Sequence, residues 1–135
     1  MKNKNDIAIF TTTSGFSKSK ITLYEDTFVN HVIGDHSERE FLIDEYNIAI
    51  VKRVVESPDI VTEDEEHTDR FNYFSLVHFS SASSTTNVKI VTEEVASSEK
   101  QNSGEIVTIM PVNHGKTKIG ESYGRRVLYD RYSIE

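Results

Sequence analysis

The chain has 135 residues, a formal charge of −7 and five histidines, with 36% hydrophobic and 27% charged residues. That size and balance suit one soluble globular domain with a single modest core. The absence of cysteine excludes disulfides, thiol catalysis and cysteine-bound zinc, and the acidic balance speaks against a protein that coats nucleic acid unspecifically.

No apolar run approaches the roughly 18 residues of a membrane helix, so no membrane association is expected. The run Ile7-Ala8-Ile9-Phe10 is too short for the core of a signal peptide. A cytoplasmic location is the simplest expectation, with delivery into a target cell's cytoplasm by a route lacking a classical signal left open. Residues 1–19 read as an N-terminal arm in which IAIF is an edge strand and TTTSGFSKSK a loop of turn-forming residues.

Residues 20–135 read as one α+β domain. It opens with ITLYEDTFVNHVIGDH, residues 21–36, a strand end leading into a short helix. Thr22 and Glu25 have capping-box spacing. Phe28 and Val32 then share one face, with His31 on the same helix and therefore expected to be partly structural. Gly34 can take the left-handed conformation that ends a helix, which leaves His36 in the turn and better placed for chemistry. Two imidazoles near one helix end can do acid–base work near neutral pH, and they equally fit surface or half-buried histidines.

Ser37 and Glu40 repeat the capping-box spacing at the start of a second helix. Ile43, Tyr46, Ile50 and Val54 recur at helical intervals, with Val51 on the flank, and that stripe is expected to face the core. Ser57-Pro58 ends the helix. A short β-prone run at 59–62 and an acidic loop follow; between Glu56 and Asp69 there are seven carboxylates and no lysine or arginine. Phe71 to Phe79 is an aromatic-rich strand, Val88 to Val95 the next, and GEIVTIMPV the last, where Pro111 marks an edge or an end. Beyond about residue 113 a basic tail carries Lys116, Lys118, Arg125 and Arg126. Helices followed by strands predict an α+β fold in which two N-terminal helices pack on an antiparallel sheet of three to five strands.

Three chemistries bear on these residues. His114-Gly115-Lys116-Thr117 contains the end of a phosphate-binding loop, but Met110 stands where that motif needs glycine. His31 and His36 are five apart across a glycine, and His67, His78 and His114 have no recognisable ligand spacing, so no metal or other cofactor is expected. The third is metal-independent RNA cleavage, which needs a base for the ribose 2′-hydroxyl, an acid for the leaving oxygen and cations to offset the phosphorane. His31 or His36 can serve as base or acid, Arg70 and the tail cations can meet the phosphate, and Tyr73 and Thr108 can donate hydrogen bonds. Each also has an ordinary structural reading: Arg70 as the partner of Asp69 or Glu66, Thr108 as a β-prone strand residue.

The order of these pieces resembles the phage-associated barnase–EndoU–colicin–RelE-like nuclease domains. In that family a strand leads into a short helix bearing an aromatic and, three residues on, a histidine. A second histidine follows five residues later, then a longer helix stopped by a Pro-Asp-type dipeptide, then antiparallel strands of which the last bears a threonine. Phe28, His31, His36, Pro58-Asp59 and Thr108 occupy the matching positions, over residues 20–112. The chain departs from the pattern at Ser37, where the family commonly has proline, and it has no tryptophan for the helix aromatic. The resemblance implies a barnase/RelE-like fold, cleavage of RNA without a metal, a role as a toxin or mobile-element effector, and an inhibitor or immunity protein as partner. The competing expectation is a catalytically inactive accessory or protein-binding module on the same fold, which the negative charge and the acidic loop favour.

Overall fold

The computed structural model describes residues 7–34, 36–64, 66–80, 85–95, 102–112 and 127–131. Two strands come first, β1 (Ala8–Thr13) and β2 (Lys20–Tyr24). A single turn, α1 (Glu25–Thr27), runs straight into a π-helical stretch, Phe28–Ile33. A 3-10 helix, Ser37–Ile43, leads into the main helix, α2 (Glu45–Glu56). The remaining strands are β3 (Ile60–Glu63), β4 (Arg70–Val77), β5 (Thr86–Val95), β6 (Ser103–Val112) and β7 (Val127–Asp130).

The seven strands form one sheet in the order β1-β2-β6-β5-β4-β3-β7. Every neighbouring pair is antiparallel except β2 and β6, which run parallel over Lys20–Thr22 and Ser103–Glu105. This corrects the expected fold: the chain does not open with two helices, and the sheet is neither purely antiparallel nor limited to five strands. The start of the supposed first helix is a strand because Ile21, Thr22 and Leu23 are all buried between β1 and β6. The Thr22 hydroxyl pairs across the hairpin with that of Thr11 at 3.1 Å instead of capping a helix. β7, in the stretch read as a tail, is held by non-local pairing to β3.

Successive side chains of a strand point to opposite faces, and in β4 this divides the core. Tyr73 belongs to the large cluster, where Ile21, Leu23, Ile90, Ile106 and Ile109 of the sheet meet Phe28, Val32, Leu42, Val51, Val54 and Val55 of the helical segments. Phe74 belongs to a small cluster with Val112 on the other side. Helices cover one face, as an α+β arrangement requires. No helix among the described residues is long and apolar enough to cross a membrane.

The expected second helix is two helices, and its phase differs from the prediction. Ser37 supplies no cap; Asp44 does, accepting from the Tyr46 backbone N–H at 2.8 Å, so α2 starts at Glu45. Started there, α2 turns Asn47, Val51, Val54 and Val55 inward, while Ile43 and Tyr46 are each 60% exposed. Asn47 fixes that phase: its side chain donates to the Phe41 carbonyl (2.8 Å) and the Ser80 hydroxyl (3.0 Å) and accepts from the Ser80 N–H (2.8 Å). The helix stops before Pro58, as the sequence predicts.

Candidate functional site

The site begins where the π-helical stretch ends. Gly34 sits at φ +38° and ψ −119°, and its N–H donates to Val29 O at 2.9 Å. A Cβ there would stand 2.7 Å from Asn30 O, so glycine is required by both conformation and space. The chain turns back sharply enough for the His36 N–H to donate to Ile33 O at 2.5 Å. His36 is thus held against the end of the helix that carries His31. Both histidines are exposed. For His31 this corrects the expectation of a partly structural role, because Phe28 and Val32 fill the core side of the stretch and His31 points away from it.

Sequence reasoning passed over the residue that organises this corner. Arg39, on the 3-10 helix, is only 9% exposed. Its Nη1 donates to the Val32 carbonyl at 3.2 Å and to the Thr108 hydroxyl at 3.4 Å. Its own N–H donates to His36 O at 2.8 Å. One residue therefore joins the backbone after His31 and the β6 threonine through its guanidinium, and the turn of His36 through its own N–H. The Glu38 carboxylate stands 3.9 Å from its Nε, too long for a hydrogen bond. The segment Ser-Glu-Arg-Glu reads as a solvated first helical turn, and only the 3-10 geometry turns its arginine inward.

Glu38 also accepts from, or pairs with, His36 Nδ1 at 3.2 Å. A hydrogen bond to the Glu38 backbone holds its carboxyl below the usual carboxylate range; loss of solvent opposes this, and His36 and then Arg39 add to the lowering. An ionised Glu38 makes Nδ1 the protonated nitrogen of neutral His36, which leaves the lone pair on Nε2.

The other named residues lie apart from this corner. Arg70, at the start of β4, pairs across strands with Glu93 (Nε to Oε2, 3.4 Å), not with Asp69 or Glu66. Tyr73 is fully buried. Its hydroxyl donates to Glu94 Oε2 at 2.7 Å and accepts from Ser14 at 2.5 Å. Thr92 and Ser17 each donate to the same carboxylate at 2.6 Å. Burial, then the charge of Glu94, push the Tyr73 hydroxyl well above the usual phenol range. Tyr73 therefore closes a buried network that ties the β1–β2 loop to the sheet and is not turned towards the histidines. Lys116, Lys118, Arg125 and Arg126, with His114 and the Gly115-Lys116-Thr117 segment, lie outside the described residues.

Comparison of the chain with protein-family profiles, curated proteins and solved structures finds no match in any of the three.

Proposed function

We propose that the protein cleaves RNA without a metal, at the corner formed by His31, His36, Arg39 and Thr108. The observation that carries this reading is the Arg39 guanidinium, which joins the backbone beside His31 to the Thr108 hydroxyl, three residues after His36. It stands in the role first assigned to Arg70, whose charge is matched by Glu93.

His36, with Nδ1 held by Glu38, presents Nε2 as the base that takes the ribose 2′-hydroxyl proton. The freed oxygen attacks phosphorus, the bond to the 5′-oxygen breaks, and protonated His31 gives that oxygen its proton. The products are a 2′,3′-cyclic phosphate and a 5′-hydroxyl. Arg39 places fixed positive charge beside the phosphorane, where a preorganised cation favours the transition state over the ground state. Thr108 positions Arg39. On this reading the wider setting is that of a toxin or mobile-element effector, with an inhibitor as its natural partner.

The test is incubation with total RNA in chelator beside a His36→Ala variant. The variant should lose about 10²–10⁴-fold of the rate, and the products should carry cyclic phosphate ends. Cleavage that needs a divalent cation, or that survives unchanged in the variant, refutes the proposal. No cleavage by the unmutated protein decides for the second reading, a protein-binding module, which is favoured by an apolar groove on another part of the surface.

A further inference from the structure

That groove lies between β1, the π-helical stretch and α2 and encloses about 650 Å³. Val29 and Ile33, four apart, form one wall; on α2, Ile48 and Ala49 form the other, with Glu45 and Lys52 at its ends. Phe10 of β1 and Phe28 lie in it as well. None of His31, His36, Arg39 or Thr108 lines it. We infer that this groove docks an amphipathic helix of a partner protein whose flanks are basic, whether or not the histidine corner cleaves RNA.

Three observations select that occupant. Val29 is 55% exposed and Ile43, at the mouth, 60%. A groove whose own walls are that open covers one side of an occupant, whereas a small ligand's pocket encloses most of it. On α2 the lining residues Glu45, Ile48, Ala49 and Lys52 recur three or four apart, the ridge spacing against which a further helix packs, and Ala49 leaves a hole for an incoming large side chain. Finally, the charges at the rim are unbalanced. Lys52 pairs with Glu56 of its own helix at 3.9 Å, while Glu25 and Glu45 have no cationic partner among the described residues. Basic flanks answer those carboxylates. A second copy of this chain answers them less well, since the one cation it brings through this face, among the described residues, is Lys52, which pairs with Glu56 of its own helix.

The test is fluorescence anisotropy with a labelled synthetic helix that has leucines at i, i+3, i+4 and i+7 and lysines on both flanks. A control peptide carries glutamates in place of the lysines. The lysine peptide should bind, with the glutamate peptide at least about tenfold weaker. Val29→Asp, at an exposed position, should cost about tenfold or more with the circular dichroism unchanged, and Glu45→Lys should narrow the preference between peptides. Equal binding of both peptides, no binding of either, or full binding by Val29→Asp overturns the inference. So does a dimer in sedimentation equilibrium that Val29→Asp dissolves, which would make the occupant a second copy. RNA cleavage is measured separately and bears on neither result.

Discussion

Arg39 on the 3-10 helix and Thr108 on β6, 69 positions apart in the chain, share a hydrogen bond at 3.4 Å. Among the described residues, this buried guanidinium hydrogen-bonds to neutral acceptors, a hydroxyl and a carbonyl, with the Glu38 carboxylate farther off at 3.9 Å. Thr108→Val keeps the shape and removes one acceptor, and it should cost about 1 kcal/mol in denaturant unfolding. If Thr108 positions Arg39 for a phosphate, the same variant lowers kcat for RNA more than it raises KM. Arg39→Lys should lose more of both, because the ammonium does not reproduce the position of Nη1 between the two acceptors and lacks the further N–H donors a guanidinium offers a phosphate.

Gly34 sets where His36 stands. Gly34→Ala puts a Cβ against Asn30 O and forces an L-residue to φ +38°, and it should destabilise the fold by about 1–3 kcal/mol. Urea midpoints measure the cost. Loss of cleavage beyond the unfolded fraction would locate the effect in the histidine turn.

The acid limb carries a contribution from Glu38. Its folded-state value lies below the ordinary 4.5, so its share of stability is present above 4.5 and is lost as pH falls through the depressed value. Glu38→Gln should flatten the stability profile in that window, and added salt should shrink the difference because the group is exposed. Thermal melts across the acid range read it directly.

The alkaline limb carries the opposite sign through Tyr73. Its folded-state value is raised above the ordinary 10.0, so the unfolded chain releases this proton first and stability falls as pH rises past 10. Tyr73→Phe should remove that contribution. At neutral pH it should cost about 1–3 kcal/mol, since Glu94 keeps Thr92 and Ser17 but loses one donor. Ultraviolet absorbance titration should show one phenol in the unmutated protein that ionises only on unfolding.

Local signals in the chain were enough for several elements. The end of α2 at Ser57-Pro58, the edge strand through Ile9 and Phe10, the strands around Tyr73, Ile90 and Ile109, and the glycine break at Gly34 all follow from backbone chemistry or from runs of β-prone residues. Such features depend on a residue and its near neighbours, so sequence alone fixes them. The pairing of His31 and His36 at one helix end was legible for the same reason.

What tertiary structure decided was everything that depends on residues far apart in sequence. Lys20–Tyr24 is a strand because β1 pairs along it and β6, some eighty residues later, adds a parallel ladder over Lys20–Thr22, although the Thr22–Glu25 spacing equally suits a cap. Of the expected core stripe, Val54 is buried and Ile50 packs against the core, but Ile43 and Tyr46 are exposed, because the phase is set by the Asp44 cap and by Asn47 reaching Ser80. Those displaced apolar residues leave Ile43 exposed at the mouth of the groove. The candidate site shows the same division. Histidines announce themselves by type, but an arginine in a polar turn reads as solvated until a 3-10 helix and a distant strand bury it. Burial and hydrogen bonding are properties of the packed chain, and it is packing that sets Arg39 against Val32 and Thr108 while Arg70 pairs with Glu93.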